Sequence, residues 1–215
     1  MTGKPSRGGS RNPHAPEPAA TDELEITVKP LTRARFDDLV TLFEQGGDPR
    51  WCWCMYYRKR GMNWSNSSRA DNRRDLQSIA GSRPAPGLVA YARGAAVGWV
   101  SLAPRERYER LVANRFLRPI DDKPVWSVVC FVVSRTARRR GVATKLLEAA
   151  IDYARQHGAA MLEAYPISAE RGKVAAAAAF RGVESMFKKA GFRVAEVRRW
   201  NETAPPQPIM RLALR

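Results

Sequence analysis

The segment Val128–Ala150, VVCFVVSRTARRRGVATKLLEAA, holds the residues whose types and spacing speak most directly of chemistry. Apolar residues run to Val133, a turn follows with the pattern Arg138-x-x-Gly141-x-Ala143, and an amphipathic stretch begins at once. Small residues at Gly141 and Ala143 let backbone approach a ligand closely. The first amides of a helix have no internal acceptors, and the helix dipole is positive there. With Arg138, Arg139 and Arg140 beside them, these amides make a cradle for a pyrophosphate. An ordinary basic helix start has the same residues, so the pattern alone does not decide. No Gly-Lys-Ser/Thr follows the turn, which argues against nucleoside triphosphate hydrolysis.

To position that turn, the chain needs a strand before it and a helix after it, and the hydrophobic pattern supplies both. Val125–Val133 is apolar except for Ser127, as expected of a strand buried on both faces. In Gly141–His157, Val142, Leu146, Leu147, Ala150, Ile151 and Ala154 recur at helical spacing, and Gly158 closes the helix. Upstream, Leu24–Leu31 alternates as a strand, and Thr32 is placed to cap a helix carrying Phe36, Leu39, Val40 and Phe43. An irregular stretch, Asp48–Ser68, contains the run WCWCMYY, and Ser68–Ala80 reads as a polar helix. Gly87–Arg93 and Ala96–Ala103 form a hairpin at Gly94, and Arg105–Asn114 is a charged helical turn or short helix. Downstream come a strand at Ala160–Tyr165, a helix around Val174–Ala190, and strands at Phe192–Arg199 and Pro208–Leu214. This order predicts one α/β or α+β domain over 24–215, a mixed central sheet of six to seven strands flanked by about four helices. Residues 1–23, rich in Gly, Pro, Ser and Ala, read as a disordered tail.

Composition narrows the class. The 215 residues are 44% hydrophobic and 27% charged, near globular averages. The longest apolar stretch, Val174–Phe180, is far short of the roughly 20 residues of a membrane span, so no membrane partner is expected. The N-terminus lacks the apolar core of a secretory signal, and three cysteines make no disulfide framework, which together suggest a reducing, cytoplasmic setting. There are 37 Lys+Arg against 21 Asp+Glu, a net charge of +16, attractive to polyanions or to a phosphate-bearing cofactor. Only eight of these cations are Lys, so codon bias toward Arg is the competing reading. The two histidines, His14 in the tail and His157 at a helix end, offer no Ser-His or Cys-His pair, and Cys130 reads as a small apolar residue. Cys52 and Cys54 alone make a poor zinc site, so no metal is expected.

On RRRGVA (Arg138–Ala143) and FKKAGF (Phe187–Phe192), in this element order, the chain resembles the GNAT superfamily of N-acetyltransferases. The first matches that family's Q/R-x-x-G-x-G/A cofactor motif and the second its aromatic-x-Lys-x-Gly-Phe element. The resemblance implies a sheet whose fourth and fifth strands splay apart, with acetyl-CoA in the gap as co-substrate. Backbone groups of Phe131, Val132 and Val133 would pair with the pantetheine arm, and the amides of Arg139, Arg140, Gly141, Val142, Ala143 and Thr144 would hold the pyrophosphate, with Arg138 at the mouth. Phe187 stands at the family's cofactor-side Tyr position and cannot protonate a leaving thiolate. Phe180 replaces an Asn, and Ser127 replaces a Glu that serves some relatives as base.

Transfer to an amine requires a base. Glu163, in the apolar strand AAMLEAYP, shares a face with Tyr165; apolar neighbours would raise its carboxyl, and Tyr165 would replace the missing acid. A Glu paired with an arginine is the alternative. Trp51, Trp53 and Tyr56 lie where the family admits its acceptor, and read either as a cluster capping the first helix or as an aromatic pocket. Arg58, Lys59, Arg60, Arg69, Arg73 and Arg74 form a solvated face or attract an acidic acceptor. The leading reading is direct acetyl transfer to a primary amine of a small molecule or a protein. A second is an acetyl-CoA-binding regulatory module without catalysis; a nucleic-acid-binding basic domain ranks last, for want of any such signature. Homodimer formation stays open.

Overall fold

A computed structural model describes residues 24–168, 179–199 and 201–214. The tail expected over 1–23 and the first turns of the helix expected from Val174 lie outside these residues. The chain opens with β1 (Thr27–Pro30), followed by α1 (Phe36–Phe43), α2 (Pro49–Cys52), α3 (Met62–Ser65) and α4 (Arg69–Ile79). Phe36, Leu39, Leu42 and Phe43 are buried, so one face of α1 lies on the sheet. Thr32 makes no capping bond, because a 3₁₀ turn at Arg33–Arg35 separates it from α1. Ser68 does cap: it and Asp71 form a reciprocal capping box at the start of α4.

β2 (Gly87–Ala92) turns through Arg93 and Gly94, with φ of 51° and 79°, into β3 (Ala95–Pro104). Two left-handed residues are what a tight hairpin matched to strand twist requires. Then follow α5 (Glu109–Ala113), β4 (Trp126–Val133), α6 (Val142–Gln156), β5 (Met161–Ala164), α7 (Glu184–Lys189), β6 (Arg193–Arg198) and β7 (Gln207–Ala213). They form one seven-stranded sheet of order β1-β2-β3-β4-β5-β7-β6, in which β4 and β5 are the parallel pair. The four expected helices are α1, α4, α6 and α7. The helical stretch expected over Arg105–Asn114 contains the five-residue α5, and the additional α2 and α3 are only four residues long, too short to show an apolar stripe.

The feature that opens a site lies in β4. Its parallel pairing with β5 covers only Trp126↔Leu162, Ser127↔Glu163 and Val128↔Ala164, while its antiparallel pairing with β3 continues to Val133. At the same point the register with β3 shifts: Leu102 faces Val128 and Ser101 faces Cys130, so Val129 has no partner. A bulge bends its strand and increases its twist. β4 therefore swings away from β5 at Val129, and among the described residues its edge beyond Val128 has no strand neighbour on that side.

Both faces of the sheet are buried. On one, Phe36, Leu39, Phe43, Trp53, Trp99, Tyr108 and Tyr165 pack together. On the other, Leu146, Leu147 and Ala150 of α6 meet Leu88, Val100, Val128, Phe187, Phe192 and Met210. Gly98 permits the close approach of α6: a β-carbon there would stand 2.6 Å from Val142 Cγ1 and 3.0 Å from Leu146 Cδ1.

Candidate functional site

Where β4 leaves β5, a cavity of about 720 Å³ opens. Phe131, Val132 and Val133 line it from the free strand edge, and Arg138, Arg139, Gly141, Val142, Ala143 and Thr144 line it from the turn and the start of α6. Gly141 takes the N-cap position at φ 80°, and no side chain caps the helix. Arg139 is also left-handed, at φ 61°. The first-turn amides of a fifteen-residue helix thus reach the cavity without an internal acceptor or a side-chain cap. Such a terminus, with two guanidinium-bearing residues beside it, suits a phosphate-bearing ligand.

Two residues expected at the cofactor are placed elsewhere. Phe187 does not line the cavity; it is fully buried, 6.1 Å from the Phe131 ring and 5.1 Å from that of Phe192. It packs behind the lining, against Phe131, which is itself part of the wall. Arg140 is likewise absent from the lining. The opposite wall comes from the loop after α1 and from the segment before α7: Gln45, Gly46, Gly47, Asp48 and Pro49, with Phe180, Gly182 and Val183. Among the described residues, Asp48 is the carboxylate of that lining. Sequence reading missed it, since a single Asp before a Pro carries no motif.

Glu163 and Tyr165 do share a face, and Tyr165 donates a 2.6 Å hydrogen bond to Glu163 Oε1. The apolar surroundings expected for Glu163 are not there. Arg105 Nη1 donates to the same oxygen at 3.3 Å, and Arg211 Nε donates to Oε2 at 2.7 Å. The carboxylate is wholly buried and engaged on both oxygens, which removes the reason for reading it as a base in an apolar setting. Arg211 continues to Asp121 through two bonds of 2.7 and 2.9 Å, holding that carboxyl well below its ordinary 3.8, at about 2. Ser127 Oγ donates to the Tyr165 oxygen at 3.0 Å, and burial pushes the Tyr165 hydroxyl well up. Neither Glu163 nor Tyr165 lines the cavity. Their network braces the last paired residues of β4 and β5, where the splay starts.

The aromatic run divides. Trp53 is fully buried, its ring 6.1 Å from Phe36 and 5.3 Å from Phe43, so it belongs to the core and is not an acceptor wall. Trp51 and Tyr56 are 48% and 39% exposed. A sharp turn accompanies this: Trp53 and Cys54 both have left-handed backbone, φ 46° and 51°, and Trp53, Cys54 and Met55 are buried together between exposed Trp51 and Tyr56. The same turn gathers thiols. Cys54 Sγ lies 3.5 Å from Cys130 Sγ and accepts from Trp99 Nε1 at 3.2 Å, and contact with Cys130 pushes the Cys54 thiol well up. Hydrogen bonding to Cys54 does the same for half-buried Cys52. Among the described residues no cluster of ligands suits a metal ion, and no helix is long and apolar enough to cross a membrane.

The sequence model of the acetyltransferase (GNAT) family matches residues 50–180. No curated protein sequence matches the chain. Among solved structures, the fold is similar to the ribosomal-protein-S18-alanine N-acetyltransferase from Escherichia coli, at 18% identity and a TM-score of 0.50 over 88% of this chain and 94% of that one. It is also similar to an acetyltransferase of the GNAT family from Streptococcus pneumoniae, at 14% identity and a TM-score of 0.52 over 89% of this chain and 100% of that one. A chain of the NatC complex, solved with Gag peptide and CoA, gives 16% identity and a TM-score of 0.50 over 89% of this chain and 100% of that one. At these identities the likeness is one of fold.

Proposed function

The chain belongs to the GNAT acetyltransferase family, and from that premise we propose that it transfers the acetyl group of acetyl-CoA directly to a primary amine. One observation carries the reading: a strand edge and a helix N-terminus that have no strand neighbour and no side-chain cap among the described residues open into the same cavity. Acetyl-CoA supplies an activated acyl group: the neutral amine adds to the thioester carbonyl, the C–S bond breaks as the amide forms, and CoA leaves as the thiol with the second proton shed by the nitrogen. The backbone of Phe131–Val133 offers its pantetheine arm an added-strand pairing. The amides of Val142, Ala143 and Thr144, at the positive end of α6, hold the pyrophosphate, and Arg138 and Arg139 offset its charge. Each dipole or amide contribution is worth about 0.3–1 kcal/mol, so several act together. Asp48, on the facing wall, takes the proton that the ammonium form of the acceptor must lose. The acceptor enters from the side of the loop after α1 and is a small molecule or a protein amine.

Thermal unfolding with and without acetyl-CoA tests this. A ligand at 100 times its dissociation constant adds about 2.7 kcal/mol, and each kcal/mol moves the midpoint by roughly 2–4 °C at this size. Gly141→Asp should abolish the shift: the position is left-handed at φ 80°, and the new carboxylate would face the pyrophosphate. No shift in the wild-type protein would end the cofactor reading. A shift without acetyl transfer to any of a panel of primary amines would favour the regulatory-module reading.

A further inference from the structure

Beyond the cavity, the segment that follows Pro49 presents an organised aromatic surface. Trp51 and Tyr56 are 48% and 39% exposed and Met62 is 69% exposed. The two rings are tied together through half-buried Trp64, and Met62 stands two residues before Trp64 in α3. The Trp51 ring lies 6.2 Å from Trp64, and Trp64 lies 5.3 Å from Tyr56. Arg110, from α5, sets its guanidinium 4.2 Å from the Tyr56 ring centre and 5.5 Å from that of Trp64, and its Nε donates to the Tyr56 carbonyl at 2.6 Å. Buried Asn72 of α4 fastens the other end, donating to the Trp51 carbonyl at 3.3 Å and accepting from Lys59 Nζ at 3.0 Å. The aromatic side chains are therefore held before any partner arrives, which lowers the ordering cost of binding.

Trp, Tyr, Met and Arg are the types enriched at the energetic centres of protein interfaces. The surrounding field is positive: residues 49–75 contain seven Lys and Arg against two Asp. Several are neutralised within the chain, Lys59 by Asp75, Arg74 by Asp71, and Arg69 and Arg50 by Glu44. Arg60 is exposed and makes no hydrogen bond or ion pair among the described residues. A nucleic-acid strand would need open ring faces on which to stack. Here Tyr56 meets Trp64 edge-on, at 87°, and Arg110 covers a face of Tyr56. The surface offers ring edges, a thioether and a free cation, which suit apolar side chains and carboxylates.

We propose that the Trp51–Tyr56–Met62–Trp64 surface, with exposed Arg60 in the chain between Tyr56 and Met62, docks an acidic polypeptide segment that also carries apolar side chains. It adjoins the wall of the cavity through α2, whose first residue, Pro49, lines that cavity. The docking does not depend on acetyl transfer.

Fluorescence anisotropy of the full-length protein with a labelled Glu/Leu/Phe peptide tests it, beside an oligothymidylate and a Glu/Gly peptide of equal charge. The expected result is binding of the first peptide in preference to both others, weakened about tenfold by Trp51→Ala, the size of one hot-spot contact. Arg60→Glu should weaken it too, and both residues are exposed enough that their loss leaves the core intact. Gly141→Asp should keep peptide binding while losing the acetyl-CoA thermal shift, so failure of the cofactor reading is seen separately. Absence of peptide binding would overturn the proposal, as would preference for the oligonucleotide or indifference to both surface variants.

Discussion

Glu163 shows how far single residues can be read from sequence. Strand alternation places it beside Tyr165, and the 2.6 Å hydrogen bond between them follows from that parity. Its cationic partners do not follow, because Arg105 and Arg211 stand 58 and 48 residues away and no local pattern marks them. Replacing the carboxylate removes the countercharge from buried Arg105 and one of the two carboxylates that Arg211 engages, Asp121 remaining. Glu163→Gln should therefore destabilise the fold by about 3 kcal/mol, the lower end for breaking a buried ion pair because the amide still accepts hydrogen bonds. A urea midpoint equal to that of the wild type would refute this bracing role. Trp53 carries a related lesson: the run WCWCMYY reads either as a cluster on the first helix or as an aromatic pocket, and the left-handed turn at Trp53–Cys54 divides it, burying Trp53 and leaving Trp51 and Tyr56 exposed.

At the scale of elements, the pieces that make the site were the most legible. The strand to Val133, the Arg138–Ala143 turn and the helix after it are each defined by strong local patterns, apolar continuity in one case and helical periodicity in another. The bulge at Val129 was not legible, since it is a property of register between two strands and not of either one. Nor were α2 and α3, at four residues each too short to show periodicity, whereas α5 falls inside the charged helical stretch read at Arg105–Asn114. The packing of α6 on β3 makes a direct prediction. Gly98→Ala would set a methyl 2.6 Å from Val142 Cγ1, on a stiff β-branched side chain, and α6 would have to lift. Overpacking of this kind costs about 1–3 kcal/mol. Because Val142 also lines the cavity, acetyl-CoA affinity should fall with stability in this variant; unchanged affinity, measured calorimetrically, would show that α6 tolerates the strain.

For the molecule as a whole, an excess of sixteen positive charges means that its carboxylates matter most where they are lost. Hydrogen bonds from Arg211 lower the Asp121 carboxyl from 3.8 to about 2. Since the folded value lies below the unfolded one, this contribution is complete above the ordinary carboxylate range and disappears as the pH falls from about 4 through 2. Melting temperature should therefore drop across that window, and Asp121→Asn should flatten the drop. Superimposable profiles for the two proteins would exclude this ion pair as a source of acid sensitivity.

All three cysteines of the chain meet around Cys54, two of them enclosed and the third half-buried. Their neighbours and burial keep Cys52 and Cys54 in the protonated form, which is the form that disulfide reagents attack slowly. A chromogenic assay that titrates newly released CoA would thus run against a quiet protein background in the native state. The same reagent would read out unfolding, as each molecule that opens adds three sulfhydryl equivalents to the signal.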